Sequence, residues 1–177
     1  MMTGTARATS TIAAGSGVRV LECSVRSCGG SGLFILGGVH VTVEGGEYMR
    51  NKGFGLLAKD AGSQLLVHDV SVCGNGMDGV SAQKGARVTA EGGEYMGNNE
   101  YGFYVSGAGS RLTAREIKVS ENLLGDVYEV EGGEATLSGR NRYVCKLRWW
   151  CMLPLQVVYI CSSHVPSVDA VVTNCSK

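Results

Sequence analysis

The chain is poor in proline and aromatic residues and has no excess of charge of either sign. Only 2 of its 177 residues are proline, 7% are aromatic, and 16 basic side chains are balanced by 16 acidic ones. A neutral chain lacks the long-range field that attracts phosphate backbones or anionic lipid, so we expect neither a nucleic-acid partner nor a membrane surface. The apolar stretch at residues 147–161 is interrupted by proline and glutamine and is too short to span a bilayer.

The 7 cysteines follow no metal-binding pattern. Neither C-x-x-C nor a paired Cys/His motif occurs, so the sequence predicts no zinc site, no other metal and no cofactor. An odd number of cysteines also argues against a secreted disulfide scaffold and favours a reducing, intracellular compartment. Residues 1–17 lack the apolar core of a secretory signal, although their Ser, Thr and Arg content and lack of acids also fit an organellar transit segment. The compartment therefore stays open.

Glycine is abundant, and it belongs to a repeat. The segment EGGEYM at residues 44–49 returns at residues 91–96, and a single position recurs every 23 or 24 residues as Cys28, Asn51, Asn75, Asn98 and Asn122. A glycine follows four residues after each of the first four of these anchors, whereas Gly125 stands one place early in the fifth. The 47-residue echo of EGGEYM therefore spans two units of a shorter repeat.

Apolar residues occur in pairs at a spacing of two around each anchor, which is the period of a β-strand. One unit contains three such pairs, for example Leu65 and Val67, Val70 and Val72, and Val80 and Ala82. Glycine interrupts every run long enough for a helix, and the Leu and Asn pattern of leucine-rich repeats is missing. The sequence therefore predicts an all-β fold, a parallel β-solenoid of about five coils with three short strands in each coil.

The pattern N-x-x-x-G-[LVF]-x-[AVI] within residues 18–139 resembles the right-handed parallel β-helix repeat of the pectin-lyase-like superfamily. The resemblance implies that strands of successive coils stack in register. It also implies a ladder of stacked amides, each donating and accepting hydrogen bonds along the axis, formed by Asn51, Asn75, Asn98 and Asn122. Cys28 cannot take part through its side chain, which marks the first coil as an end.

Composition divides the chain into three parts. Residues 1–17 are an N-terminal segment, either disordered or capping, and residues 18–140 carry the repeats. Residues 141–177 form an irregular C-terminal segment with both prolines, both tryptophans and four of the cysteines. Three interpretations of this segment stay open: a cap over the last coil, an anchor on a membrane or partner, and a truncated or misread end. The first is favoured because the ends of a solenoid need covering.

One outward column of the predicted sheets carries alternating charge. Seven residues before the anchors lie Leu21, Glu44, His68, Glu91 and Arg115. The catalytic interpretation is a Glu–His–Glu acid/base set in which His68 titrates near neutral pH between Glu44 and Glu91. The plainer interpretation is a charge ladder between adjacent strands, which needs no substrate. We favour the ladder.

A second outward column, six residues after the anchors, is rich in aromatic and apolar side chains, and we expect all of it to face outward: Phe34, Leu57, Ser81, Tyr104 and Tyr128. Aromatic faces on a flat sheet can stack on sugar rings or be covered by a partner protein. The candidate ligand-binding residues are Phe34, Tyr104 and Tyr128, together with Arg115.

The E-G-G-E segments are interpreted as turns or bulges, with glycines for backbone freedom, rather than as calcium sites.

The pectin-lyase-like superfamily includes polysaccharide lyases, glycosidases and epimerases. Polygalacturonase-like members carry paired aspartates and a Gly-His-Gly motif, and pectate-lyase-like members carry clustered calcium-binding acids with an arginine base. Neither set of residues occurs in this sequence. The sequence therefore favours a non-catalytic β-helix module that presents a flat outer sheet to carbohydrate or protein. The alternative is a polysaccharide-modifying enzyme, or a fragment of one, that uses His68, Glu44 and Glu91.

Overall fold

The computed structural model describes residues 17–144, and every regular element in that range is a β-strand. The strands form three parallel sheets that run side by side along one axis. In stacking order, sheet I contains β1 (Gly17–Leu21), β4 (His40–Glu44), β7 (Gln64–His68), β10 (Arg87–Glu91), β13 (Arg111–Arg115) and β16 (Glu134–Ser138).

The other two sheets are built from the shorter strands of each coil. Sheet II contains β2 (Ser24–Arg26), β5 (Glu47–Met49), β8 (Ser71–Cys73), β11 (Glu94–Met96), β14 (Lys118–Ser120) and β17 (Arg142–Val144). Sheet III contains β3 (Leu33–Ile35), β6 (Leu56–Lys59), β9 (Val80–Gln83), β12 (Tyr101–Ser106) and β15 (Gly125–Val130).

The chain thus winds through sheets I, II and III in turn, and one strand of each makes a coil. Five coils are complete within the described residues, and β16 and β17 begin a sixth. The predicted all-β solenoid of about five coils is confirmed. Residues 1–16 and 145–177, which make up most of the two predicted terminal segments, lie outside the described range. The predicted boundary near residue 140 therefore stays a prediction.

The predicted apolar columns fill the core. Strand register aligns them residue by residue, so that Val41 lies opposite Leu65 and Val88 opposite Leu112. The inward members of the middle coils are almost entirely buried, whereas those of the first coil, such as Val18 and Val20, are only partly covered. Alternation of buried and exposed side chains along each strand follows from the pleat.

The asparagine ladder is confirmed. Asn75 Nδ2 donates to Asn98 Oδ1 at 3.0 Å and to the Tyr48 carbonyl at 3.0 Å. Asn75 Oδ1 accepts both the backbone N–H and the side-chain amide of Asn51, at 3.1 and 3.0 Å. The amides therefore satisfy one another from coil to coil inside a buried turn. At the first coil, the backbone N–H of Cys28 donates to Asn51 Oδ1 at 3.0 Å, so this end of the ladder lacks a side chain, as predicted.

The ladder explains the glycine four residues after each of the first four anchors. A Cβ at Gly55 would lie 2.8 Å from Asn75 Nδ2, and one at Gly79 would lie 2.8 Å from Asn98 Nδ2. Real Cβ atoms do not approach other atoms so closely, so the next amide fits only because this position has no side chain. Where an asparagine follows in the next coil, glycine is therefore required.

The fifth coil shows how the ladder ends. Gly125 is not a displaced copy of the glycine column, because Tyr101 pairs with Gly125 and Phe103 with Val127, which places Asp126 opposite Gly102. The carboxylate of Asp126 accepts the side-chain amide of Asn122 at 3.2 Å. Burial raises the pKa of Asp126, and the hydrogen bond from Asn122 opposes that rise. Asp126 thus closes the last rung with a side chain.

Candidate functional site

The predicted charge column is continuous on sheet I. Strand register places Glu44, His68, Glu91 and Arg115 opposite one another on successive strands. Glu91 lies between its two neighbours: its Oε1 is 2.6 Å from Arg115 Nη2 and its Oε2 is 3.3 Å from His68 Nδ1. Glu44 instead pairs with Arg19, at 2.7 Å.

The electrostatics of this column favour ion pairing. The hydrogen bond from Arg115 lowers the pKa of Glu91, with further contributions from the charges of Arg115 and His68. A general acid needs the opposite shift, which keeps a proton on the carboxyl group near neutral pH. Because Glu91 is half-buried and shared between two basic side chains, the column is arranged as a ladder of paired charges.

Three tyrosines cluster on sheet III. Tyr104 and Tyr128 lie opposite each other on β12 and β15, with ring centroids 5.9 Å apart and ring planes at 20°. Tyr101 joins them, with its ring stacked on that of Tyr128 at 4.6 Å and 11°. We call these three residues the aromatic patch. Sequence reasoning missed Tyr101, although it lies three residues before Tyr104 on the same strand.

The other predicted ligand-binding residues do not join this patch. Phe34 is exposed on β3, three strands away from Tyr104, or about 14 Å at the usual strand spacing. Arg115 lies on sheet I, on a different face of the solenoid. The structure therefore brings two of the four candidates together and separates the other two from them.

Two members of the aromatic column are buried, contrary to the expectation that the whole column faces solvent. Leu57 is 6% exposed and Ser81 is 0% exposed, although both lie on the outward side of their strands. Side chains on adjacent strands are only about 4.8 Å apart and cover one another's flanks. The short Ser81 lies between Leu57 and Tyr104 and accepts a hydrogen bond from Gln83 Nε2 at 3.0 Å.

Two carboxyl groups lie beside the aromatic patch. Asp78 is 2% exposed, and its Oδ1 accepts the backbone N–H of Tyr101 at 3.1 Å. Burial raises the pKa of Asp78 to about 7, the bond from Tyr101 opposes this, and the charge of Glu100 adds to it. No repeat or motif singled out Asp78, because no other anchor is followed by an acid three residues later.

A shallow groove of about 360 Å³ lies at the corner between sheets I and II. Gly46 and Gly93 line it, and both have positive φ, at 86° and 82°, as expected for the interpretation of E-G-G-E as a turn. Its acidic residues are Glu22, Glu47, Asp69 and Glu94. Glu47 is paired with Arg26 and Glu94 with Lys118.

The third E-G-G-E segment, Glu131 to Glu134, occupies a different corner, between β15 and β16. Within residues 17–144, no three His, Cys, Asp or Glu side chains are placed to hold a metal ion. In the same residues, no helix has the length and apolar character needed to cross a membrane.

Comparison with known proteins agrees with this architecture. No curated protein and no solved structure matched the chain significantly. A family model described as a right handed beta helix region matches residues 5–141, which is more than half of the sequence. The chain therefore belongs to the right-handed β-helix family.

Proposed function

We propose that this chain is a non-catalytic β-helix module that recognises carbohydrate through the aromatic patch on sheet III. The observation that carries the proposal is the grouping of Tyr101, Tyr104 and Tyr128 on one flat parallel sheet, with Tyr128 42% exposed. A sugar ring presents apolar C–H groups on its face and hydroxyls on its rim. Phenol rings offer matching apolar area, and their hydroxyls add hydrogen bonds.

Two rings of the patch are held on one regular strand. The buried Asp78 accepts the backbone N–H of Tyr101 at the start of that strand. Rings held on a regular sheet lose little conformational freedom when a ligand binds, which favours affinity. The charge column on sheet I is arranged for ion pairing, which is why we place recognition on sheet III rather than catalysis on sheet I.

A protein partner is the second candidate, and one observation favours it. Leu123 and Leu124, in the turn before β15, are 55% and 59% exposed. The backbone N–H of Leu124 donates to the Glu100 carbonyl at 3.0 Å, so this apolar pair borders the aromatic patch. Exposed leucine beside tyrosine is typical of surfaces that other proteins cover.

A glycan array followed by calorimetric titration of each hit tests the proposal. Tyr104→Ala and Tyr128→Ala should each weaken binding about five- to tenfold, because a stacked aromatic contact contributes roughly 1 kcal/mol. Phe34→Ala is the matched control, since it removes an exposed ring of the same column outside the patch. Absence of any glycan ligand, or an equal loss in Phe34→Ala, would refute the carbohydrate proposal.

Two further sets of variants separate the alternatives. A protein partner predicts that Leu123→Ser with Leu124→Ser abolishes a protein complex, whereas glycan binding should survive these changes. The enzyme alternative predicts cleavage of polyuronate that disappears in His68→Ala. Turnover with that dependence would overturn the non-catalytic assignment.

A further inference from the structure

Sheet II carries a column of sulfur-containing side chains on its outer face. Strand register places Met49, Cys73 and Met96 opposite one another on β5, β8 and β11. The residue before each of them is buried in the core, so the pleat directs the sulfur side chains outward. All three are half-buried. A thioether, a thiol and a second thioether therefore lie side by side, within reach of solvent.

The two carboxylates on the same strands as the methionines already have basic partners. Glu47, on β5, is paired with Arg26 of the preceding strand of the sheet. Glu94, on β11, is paired with Lys118 of the following strand at 3.0 Å. Both pairs lead away from β8, the middle strand of the sulfur column. The carboxylates beside the sulfurs are therefore neutralised, and the sulfurs are the distinctive ligands of this face.

A thiol and two thioethers form a ligand set for a soft metal ion. Cysteine thiolate and methionine thioether sulfurs suit Cu(I), whereas Ca²⁺ and Mg²⁺ take oxygen ligands. Residues 17–144 hold no cluster of three His, Cys, Asp or Glu side chains that would suit zinc or a harder ion. We propose that Met49, Cys73 and Met96 bind one Cu(I) ion on the outer face of sheet II.

The spacing of the strands allows the three sulfurs to meet at one ion. Adjacent strands of a sheet are about 4.8 Å apart, so each methionine starts one strand spacing away from Cys73. A three-coordinate ion with metal–sulfur bonds of about 2.3 Å, as thiolates make with zinc, needs its sulfurs about 4 Å apart. Methionine has three rotatable bonds, so Met49 and Met96 can bend towards each other above the shorter Cys73.

Cys73 supplies the negative charge of the site. When the ion binds, the thiol releases its proton to solvent and the thiolate bonds to the metal, so thiolate and Cu(I) together carry no net charge. The hydroxyl of Ser71 lies 3.3 Å from Cys73 Sγ and can donate a hydrogen bond to the thiolate. Motifs built on cysteine and histidine spacing miss this set, because two of its ligands are methionines that only strand register brings beside the cysteine.

The test uses Cu(I) itself, titrated without oxygen against a chromophoric chelator. Four further cysteines lie beyond the described residues, and they are changed to serine in a reference chain of full length: Cys145, Cys151, Cys161 and Cys175. The reference chain should bind one Cu(I), and X-ray absorption should count three sulfur ligands. Cys73→Ser should abolish this site. Ser71→Ala should weaken the affinity and leave three sulfurs, because it removes only the hydrogen bond to the thiolate.

The methionine variants decide the proposal even if Cys73→Ser fails to fold. Leucine keeps the volume of methionine but not its sulfur. Met49→Leu and Met96→Leu should each weaken Cu(I) affinity at least about tenfold, since the loss of an outer-shell partner alone costs this much, and each should leave two sulfurs. Met77→Leu, a half-buried methionine outside the column, and Cys28→Ser, a half-buried cysteine in the first coil, are the matched controls and should change neither.

Three results would overturn the site. The first is a reference chain that binds no Cu(I). The second is an affinity that neither methionine variant lowers, which would mean that the ion binds a thiol alone. The third is an equal loss in Met77→Leu or Cys28→Ser, which would mean that Cu(I) binds sulfur anywhere on the chain. None of these variants alters the aromatic patch on sheet III, so glycan binding tests the proposed function separately.

Discussion

Coils 2 and 4 fill the solenoid core differently from coils 3 and 5. In the first kind, the corner between sheets I and II is a pair of glycines and a tyrosine enters the core two residues later: Gly45, Gly46 and Tyr48, then Gly92, Gly93 and Tyr95. In the second kind, an acid is followed by an aliphatic residue and a valine: Asp69, Val70 and Val72, then Glu116, Ile117 and Val119. The strand register is the same in both.

The difference shows that the two kinds of corner follow different backbone paths. Both residues of each glycine pair have positive φ, whereas at the other corners only the acid does, and Val70 and Ile117 do not. At a glycine corner the backbone of the preceding coil leaves no space for a Cβ, and a large ring fills the core two residues later; at a corner with Val70 or Ile117 the residue two places later is a valine. Alternation of the two kinds places each glycine pair against a coil with an aliphatic corner. The 47-residue echo is therefore a period of two coils in the packing of the core.

The largest expected effect comes from forcing a side chain into the glycine corner. Gly93 has φ of 82°, and a Cβ there would collide with the Val70 carbonyl and lie 2.8 Å from Val70 N. Gly93→Ala should lower the free energy of unfolding by about 3 to 5 kcal/mol, from backbone strain plus overpacking. Urea denaturation of the full chain measures it.

Gly97→Ala separates the two causes. Gly97 also has positive φ, at 63°, but a Cβ there would meet nothing within 4 Å. We expect a loss of about 1 to 2 kcal/mol, from backbone conformation alone. Equal losses in the two variants would show that close packing between unlike coils contributes nothing.

Much of this architecture could be predicted from spacing alone. The asparagines at Asn51, Asn75, Asn98 and Asn122, and apolar pairs two residues apart, specify the sheets, the register and the inward columns, because each rule repeats in every coil. The alternation of Gly46 with Val70 in one column is also visible in the sequence, but only the structure shows that it accompanies a buried tyrosine or valine two residues later.

The candidate site was harder to predict, because its members do not repeat. Tyr101 and Asp78 each occur at a position that differs from coil to coil, and they meet through a turn whose backbone no pattern fixes. Asp126 is similar: its place four residues after Asn122 is visible in the sequence, but only the structure shows that its carboxylate accepts the Asn122 amide and ends the ladder. Repetition thus predicts the scaffold, whereas the site depends on departures from it.

The asparagine ladder is common to both kinds of coil, and its variants show whether the coils differ only at the corner. Asn75→Ala in coil 3 and Asn98→Ala in coil 4 each remove one amide from a ladder that is satisfied on both sides. Each leaves buried donors and acceptors unpaired, so each should lose about 2 to 4 kcal/mol. Chemical denaturation should give values within about 0.5 kcal/mol of each other. A clearly larger loss in one variant would mean that the corner also alters the ladder.

The smallest expected effect concerns the tyrosine hydroxyls of coils 2 and 4. The hydroxyls of Tyr48 and Tyr95 are buried and have no hydrogen-bond partner among the described residues. Burial raises the pKa of both phenols, that of Tyr48 to about 12, as expected for groups removed from water. Such a hydroxyl costs free energy in the folded state, so Tyr95→Phe should raise the free energy of unfolding by about 1 kcal/mol.

Val72→Thr is the matched change in coil 3, since it introduces a hydroxyl at the equivalent core position of the other kind of coil. It should lower the free energy of unfolding by about 1 to 3 kcal/mol, because the added hydroxyl is also buried. Thermal and urea denaturation of both variants tests whether Tyr95→Phe raises the free energy of unfolding and Val72→Thr lowers it. A loss of stability in Tyr95→Phe would mean that the hydroxyl makes a stabilising hydrogen bond. Tyr95 would then stabilise its coil through its hydroxyl as well as its ring. The volume of the ring beside Gly93 would explain only part of the alternation between the two kinds of coil.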